Sequence, residues 1–198
     1  MKSQAYDRFS GYCAIIAGVC VFIYSIAFVV LKNPLLYSLM QLLGGLLTLA
    51  ALTALYGLVK ENGQYFALVG LELGLFGALG STLHAGYDLA NALNPPDANL
   101  AALANLPSQV DPRGLLTFGF AGLALFFFSA LMMRGSQFPK MLGTLGYVLA
   151  VLLVCTYLGR LIILDASSPL VLIPAALTGF IANPLFYIWL GVTLLKSK

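Results

Sequence analysis

The chain of 198 residues is short of charge, because only 9% of it is Asp, Glu, Lys or Arg while 61% is hydrophobic. A soluble domain carries about 25% charged residues on the surface that faces water. A water-exposed globule is therefore excluded, and so is a disordered chain, since disordered segments are poor in large apolar residues. The net charge of +3 is too small for a nucleic-acid surface, so we expect no nucleic-acid partner.

Residues that bind metals and cofactors are also scarce. One histidine and three cysteines without a CxxC spacing exclude an ordinary zinc site, bis-histidine haem and multi-histidine iron centres. Cys13, Cys20 and Cys155 lie in apolar runs, where we expect small buried hydrophobic side chains. No P-loop, GxGxxG, GxSxG or HExxH pattern occurs. The sequence thus predicts no metal site and no catalytic set, and any cofactor stays unidentified.

Long apolar runs are what the sequence has in abundance. A helix needs about 20 apolar residues to cross a hydrocarbon core about 30 Å thick. Six runs meet that length, each bounded by charges, Pro, Gly or Asn. We therefore predict an all-α polytopic membrane bundle, a single integral membrane domain of six transmembrane helices. The predicted spans are residues 10–31, 38–59, 65–91, 113–133, 141–164 and 170–195.

Basic residues divide unequally between the two ends of this bundle. Lys2, Arg8, Lys60, Arg134, Lys140, Lys196 and Lys198 fall at one end, and Lys32, Arg113 and Arg160 at the other. Because basic residues are retained in the cytoplasm, we predict a plasma (inner) membrane protein with both termini cytoplasmic. The one long connection, 92–112, is then external. Within it, Asp97–Leu106 can form a short interfacial helix, with an ordered loop as the alternative.

The chain as a whole resembles a group of known proteins in its architecture. Arg8-x-x-Gly11 leads into the first span, six hydrophobic helices follow, and a polar external loop comes after the third. In these features it is similar to small bacterial six-helix multi-pass membrane proteins of unknown function. The resemblance implies a prokaryotic plasma-membrane protein and carries no catalytic residue across.

The third span carries a stripe of small and polar residues. At about 100° per residue, a sector about 80° wide holds all six of its members. Glycines in such a stripe let a neighbouring helix approach closely, and a histidine can pair with an aspartate four residues later. We therefore expect a continuous helix near the centre of the bundle, with the stripe facing inward. Its members are Gly70, Gly74, Gly77, Ser81, His84 and Asp88.

Arg160, near the outer end of the fifth span, lies at the level of His84 and Asp88. We predict that these three residues, with Tyr87 and Ser81, bind the polar end of an amphipathic small molecule or lipid in an outward-opening cavity. Membrane lipid and a lipid-like or quinone-like molecule are the predicted ligands. The predicted function includes a role as an accessory subunit that binds protein partners in the membrane. The alternatives are a structural hydrogen bond for His84, an interfacial position for Asp88 and snorkelling for Arg160.

Two other features support different functions. Glu72 lies behind the stripe, and because an intramembrane carboxylate is costly, we expect it to face the interior. There it would couple protons in a small transporter, or join two helices. Asn183-Pro184, in the middle of the sixth span, predicts a kink that would be a gate or a packing feature. A third hypothesis is an intramembrane enzyme with His84 as base. Trp189 and Tyr187, near the cytoplasmic end of this span, are expected in an aromatic belt.

Overall fold

A computed structural model describes residues 4–94, 110–165 and 168–196. Six of its helices are long and apolar enough to cross a membrane. The predicted all-α, multi-pass membrane architecture is therefore confirmed, whereas the predicted helix at 97–106 lies outside the described residues. The six spans are Ala5–Val29, Pro34–Asn62, Gln64–Leu93, Pro112–Arg134, Lys140–Ile162 and Pro169–Lys196.

The first three spans are regular. They contain α1 (Gln4–Val29), α2 (Pro34–Val59) and α3 (Gln64–Leu93), with a 3₁₀ turn at Lys60–Asn62. The start of α2 follows from its sequence, because the Asn33 side chain accepts a hydrogen bond of 3.0 Å from the Leu36 amide. Pro34 occupies the first helical position, where no amide donor is needed. The continuous third helix that the stripe required is confirmed.

Spans 4 and 6 are each interrupted by a π-helical turn, while span 5 is one helix. Span 4 comprises a 3₁₀ turn (Pro112–Gly114), a π turn (Leu115–Phe120) and α4 (Ala121–Arg134). Span 5 is α5 (Lys140–Ile162). Span 6 comprises α6 (Pro169–Leu177), a π turn (Thr178–Ala182) and α7 (Asn183–Lys196).

Proline explains the π turn in span 6. Pro184 has no backbone N–H to continue the α-helical hydrogen bonds. The amide before it, that of Asn183, donates to the Thr178 carbonyl five residues back. The irregularity predicted at Asn183-Pro184 is therefore present, in the form of a π turn just before these two residues.

The six spans form a ring in chain order. Each span packs against the spans before and after it, and span 6 packs back on α1. In α3, Gly70 and Gly77 face Phe127 and Ala121 of span 4. The glycines of the stripe thus pack against neighbouring spans, and α3 is a wall of the ring. The expectation that α3 lies near the centre of the bundle is wrong.

Glycine closes the ring where α1 meets α7. A Cβ atom added at Gly18 would lie 3.0 Å from the Pro184 carbonyl, and one at Gly191 would collide with the Gly11 carbonyl. The two backbones therefore touch. Since these antiparallel helices bring the start and finish of the chain together, we call this the terminal end of the bundle. We call the opposite end, where α3 finishes and α6 begins, the cavity end.

Candidate functional site

A cavity of about 580 Å³ occupies the ring between its middle and the cavity end, and all six spans contribute to its wall. Small-molecule sites commonly measure about 300–1,000 Å³. The deepest part is lined by Leu52, Leu125 and Tyr187. Tyr187 is buried there, so its expected place in an aromatic belt is wrong. The cavity is large enough for a ligand of drug-like size.

The structure brings three of the five predicted ligand-binding residues to the cavity wall: Ser81, His84 and Arg160. Asp88 stands beside His84 without lining the cavity. Its Oδ2 lies 3.5 Å from His84 Nε2, and the two side chains are 24% and 27% exposed. Tyr87 is 52% exposed and lies outside the cavity lining. Asp88 is thus placed to orient the imidazole, and Tyr87 is placed apart from the site.

Glu72 lies on the outer surface of the ring, beside the exposed Phe76. The expectation that it faces the bundle interior is wrong. Gly74 and Gly77 take the inward face of α3, in contact with Leu52 and Ala121, and this turns residue 72 outward. Glu72 is not among the residues that line the cavity. The geometry therefore gives the proton-coupling hypothesis no connection to this site.

Two threonines that the sequence analysis missed belong to the cavity wall. A threonine in a helix ordinarily donates its hydroxyl to the carbonyl four residues earlier. Thr117 and Thr178 do not, since their buried Oγ1 atoms have no hydrogen-bond partner among the described residues. Thr178 begins the π turn of span 6, and Thr117 follows a 3₁₀ turn in which Arg113, four residues earlier, has a φ of +58°. Both residues line the cavity. The chain's other six threonines all make the usual bond: Thr48, Thr53, Thr82, Thr144, Thr156 and Thr193.

Two more cavity-lining residues have buried polar atoms without a partner in the described part of the chain, His84 Nδ1 and Asn183 Oδ1. Four of the six such atoms therefore belong to the cavity wall; the others are hydroxyls of Ser10 and Ser129. An unsatisfied buried polar group costs about 1–3 kcal/mol. These atoms are covered by neighbouring groups, so the cost belongs to the fold around the cavity.

Arg160 brings a positively charged side chain to the cavity wall. The carbon of its guanidinium lies 5.4 Å from the centre of the Phe118 ring. Within the described chain it forms no ion pair with a carboxylate. Asp111 also lines the cavity, but its oxygens accept from the amides of Leu116 at 2.8 Å and Thr117 at 3.1 Å. An arginine so placed beside apolar walls favours an anionic partner.

The sequence signals that could have identified Thr117 and Thr178 differ in strength. Thr178 lies six residues before Pro184, so a proline-induced π turn is a signal that can be sought in sequence. Thr117 has no such proline after it, and the sequence around it gives no comparable signal. Gln41, which donates to the Ser81 carbonyl at 3.5 Å, lines the cavity as well.

Metal-binding chemistry is not assembled in the described residues, where no three His, Cys, Asp or Glu side chains cluster closely enough to hold an ion. Cys13 and Cys20 are buried as expected. Cys155 is exposed, so the expectation for it is wrong. It shares the outer face of α5 with Val151 and Leu158, which are also exposed.

Comparison with known proteins finds no matching family model, curated protein or solved structure. The function of the cavity is therefore argued from its own residues.

Proposed function

We propose that the protein binds an amphipathic small molecule or lipid in the cavity of the ring. Its polar end contacts Arg160 and His84, with Asp88 orienting the imidazole. Its apolar part lies against the leucine and phenylalanine side chains of the wall. The observation that carries the proposal is a cavity of about 580 Å³ whose mostly apolar wall also holds the side chains of Arg160 and His84.

The arrangement of the wall sets how such a ligand lies. Arg160 and His84 are near the cavity end, whereas Leu52 and Leu125 are near the middle of the ring. A ligand with its head at Arg160 and its tail inward has the orientation of a lipid in one leaflet. Asn183, another residue of the wall, lies about midway along span 6. A lipid-like or quinone-like molecule fits this arrangement of a polar head site and an apolar interior.

Orientation in the membrane is part of the proposal. The charge bias of the sequence supports both termini in the cytoplasm, because most Lys and Arg lie at the terminal end. The cavity end then faces outward. The architectural resemblance supports a bacterial plasma membrane.

Arg160→Gln tests the proposed contact. A hydrogen bond to a charged group contributes about 1.5–3 kcal/mol, so we expect ligand affinity to fall about 10- to 100-fold. Native mass spectrometry of protein purified in a mild detergent measures the ratio of ligand-bound to free protein and gives the mass of the ligand.

Arg134→Gln is the matched control. Arg134 is exposed at the finish of α4 and lines no part of the cavity, so its loss removes the same charge without touching the site. Equal ligand occupancy in the two variants, or no bound small molecule in the unsubstituted protein, would contradict the proposal.

A further inference from the structure

Four residues that line the cavity are at the same time exposed on the outer surface of the ring. Phe28 and Val29 belong to α1, and Leu172 and Ala176 belong to α6. Every lining residue from α2, α3, span 4 and span 5 is buried or partly buried. The cavity wall is therefore open at one place, between α1 and α6.

Helix packing explains why the wall opens there. On the side of the opening nearer the terminal end, Phe22 and Phe180 meet edge to face with ring centres 6.4 Å apart, and Ser25 packs on Gly179. These contacts join α1 to the π turn of span 6, and the close contacts at Gly18 and Gly191 join α1 to α7. Between the π turn and the cavity end, α6 packs on α5 and not extensively on α1. Spans 1 and 6 are therefore apart over the stretch that runs from the π turn to the cavity end.

The opening lies at the depth of one leaflet. Residue 176 is roughly 10 Å and residue 172 roughly 16 Å from the middle of span 6, at 1.5 Å per residue. The hydrocarbon of each leaflet is about 15 Å thick. The opening therefore runs from within the acyl chains to the headgroup level. Its edges are apolar, so an acyl chain can cross it while a head group stays at the interface.

We propose that the gap between α1 and α6 is a lateral portal, through which a single-chain anionic amphiphile enters the cavity from the bilayer. This rests on the proposed function and goes further by naming the route and the ligand class. The positive charge of Arg160 selects an anionic head, a carboxylate or a phosphate. The cavity volume, about 580 Å³, is in the range of small-molecule sites, and a two-chain phospholipid is larger than such ligands.

The test uses the full-length protein in phosphatidylcholine vesicles. Donor vesicles supply palmitic acid carrying a diazirine and an alkyne in its chain, and illumination at increasing times crosslinks the label to the protein. Peptide mass spectrometry then measures labelling of cavity-lining residues. A second arm uses the corresponding lysophosphatidic acid, to distinguish a carboxylate from a phosphate head. A third arm uses a hexadecylamine analogue.

Leu172→Trp and Ala176→Trp narrow the portal. Ile173→Trp is the matched control, because Ile173 adjoins Leu172 on the same helix, is 58% exposed against 51%, and does not line the cavity. We expect both portal variants to lower the initial rate of labelling about tenfold or more, and the control to label like the unsubstituted protein. Gel filtration and thermal midpoints confirm that each variant is folded.

The outcomes separate the two proposals. Cavity labelling at equal rates in Leu172→Trp, Ala176→Trp and Ile173→Trp would overturn the portal and leave the binding function standing. Labelling by the amine as strong as by either anion would overturn the anionic ligand class. If neither anion labels the cavity, the ligand class is overturned, and native mass spectrometry of the purified protein then decides whether the proposed function fails as well.

Discussion

Side chains of similar polarity on α3 have different surroundings, according to the face they occupy. His84 and Ser81 line the cavity, while Glu72 faces the lipid side of the ring. A helical wheel gives the angle between these residues, because it depends only on helix geometry. It does not say which face is covered by a neighbour. That was decided by Gly70 and Gly77, which admit span 4 closely.

Glu72→Gln is expected to leave ligand affinity within about twofold of the unsubstituted value, because substitutions away from a site change free energies by about 0.5 kcal/mol or less. The same native mass spectrometry measures it. Loss of the bound ligand in this variant would mean that the functional site lies on the outer surface of α3 and not in the ring.

Free hydroxyl groups were the part of the site hardest to read from sequence. All eight threonines lie in apolar segments and look alike there. Whether a hydroxyl is consumed by its own helix depends on the local hydrogen-bond pattern, which changes at a π turn. Thr117 and Thr178 differ from the other six in that pattern, and only Thr178 is followed by a proline, Pro184, that signals it in the sequence. Arg160 was easier to find, since a charge in an apolar run is conspicuous.

At the scale of helices, the two halves of span 6 have different neighbours. The half formed by α7 is sealed to α1 by glycine contacts, and the half formed by α6 leaves α1 and packs on α5. Pro184 marks the change in the sequence. The sequence therefore predicted the irregularity, but not that it would separate a closed from an open part of the wall, because this depends on contacts with α1.

Gly191→Ala tests the seam between α1 and α7. An added methyl group there would collide with the Gly11 carbonyl, and overpacking of this kind costs about 1–3 kcal/mol. We expect a lower thermal midpoint in detergent, measured by tryptophan fluorescence.

Gly57→Ala is the control for that experiment. Gly57 also lies inside a helix, but a Cβ atom there would have no neighbour within 4 Å. Alanine favours a helix over glycine by about 0.5–1 kcal/mol, so the midpoint should be unchanged or higher. Equal midpoints for the two variants would show that α1 and α7 are not in tight contact.

For the molecule as a whole, helix number and class followed from the lengths of apolar runs. The ring arrangement did not, because every span is apolar on most sides and gives little indication of its neighbours. The polar stripe of α3 predicted a position for this helix near the centre of the bundle. Instead, all six helices share the polar surface of a cavity, and no single helix is enclosed.

The proposed orientation predicts the behaviour of reporter fusions in bacteria. Alkaline phosphatase is active only outside the cytoplasm, so a fusion after residue 94 should be active and one after residue 135 inactive. Green fluorescent protein at the C-terminus should fluoresce. The reverse pattern would place the cavity end in the cytoplasm and would require a ligand from the inner leaflet.

The chain-order arrangement of the ring has a consequence for biogenesis. As the spans leave the ribosome one by one, each finds its partner in the helix just inserted. The enclosed chamber, however, does not exist until the last helix docks on the first. Until that moment, the arginine of the fifth helix and the uncommitted hydroxyl of the fourth are open to lipid. A chain that stalls before its final helix therefore displays polar groups that membrane quality-control proteases can recognise.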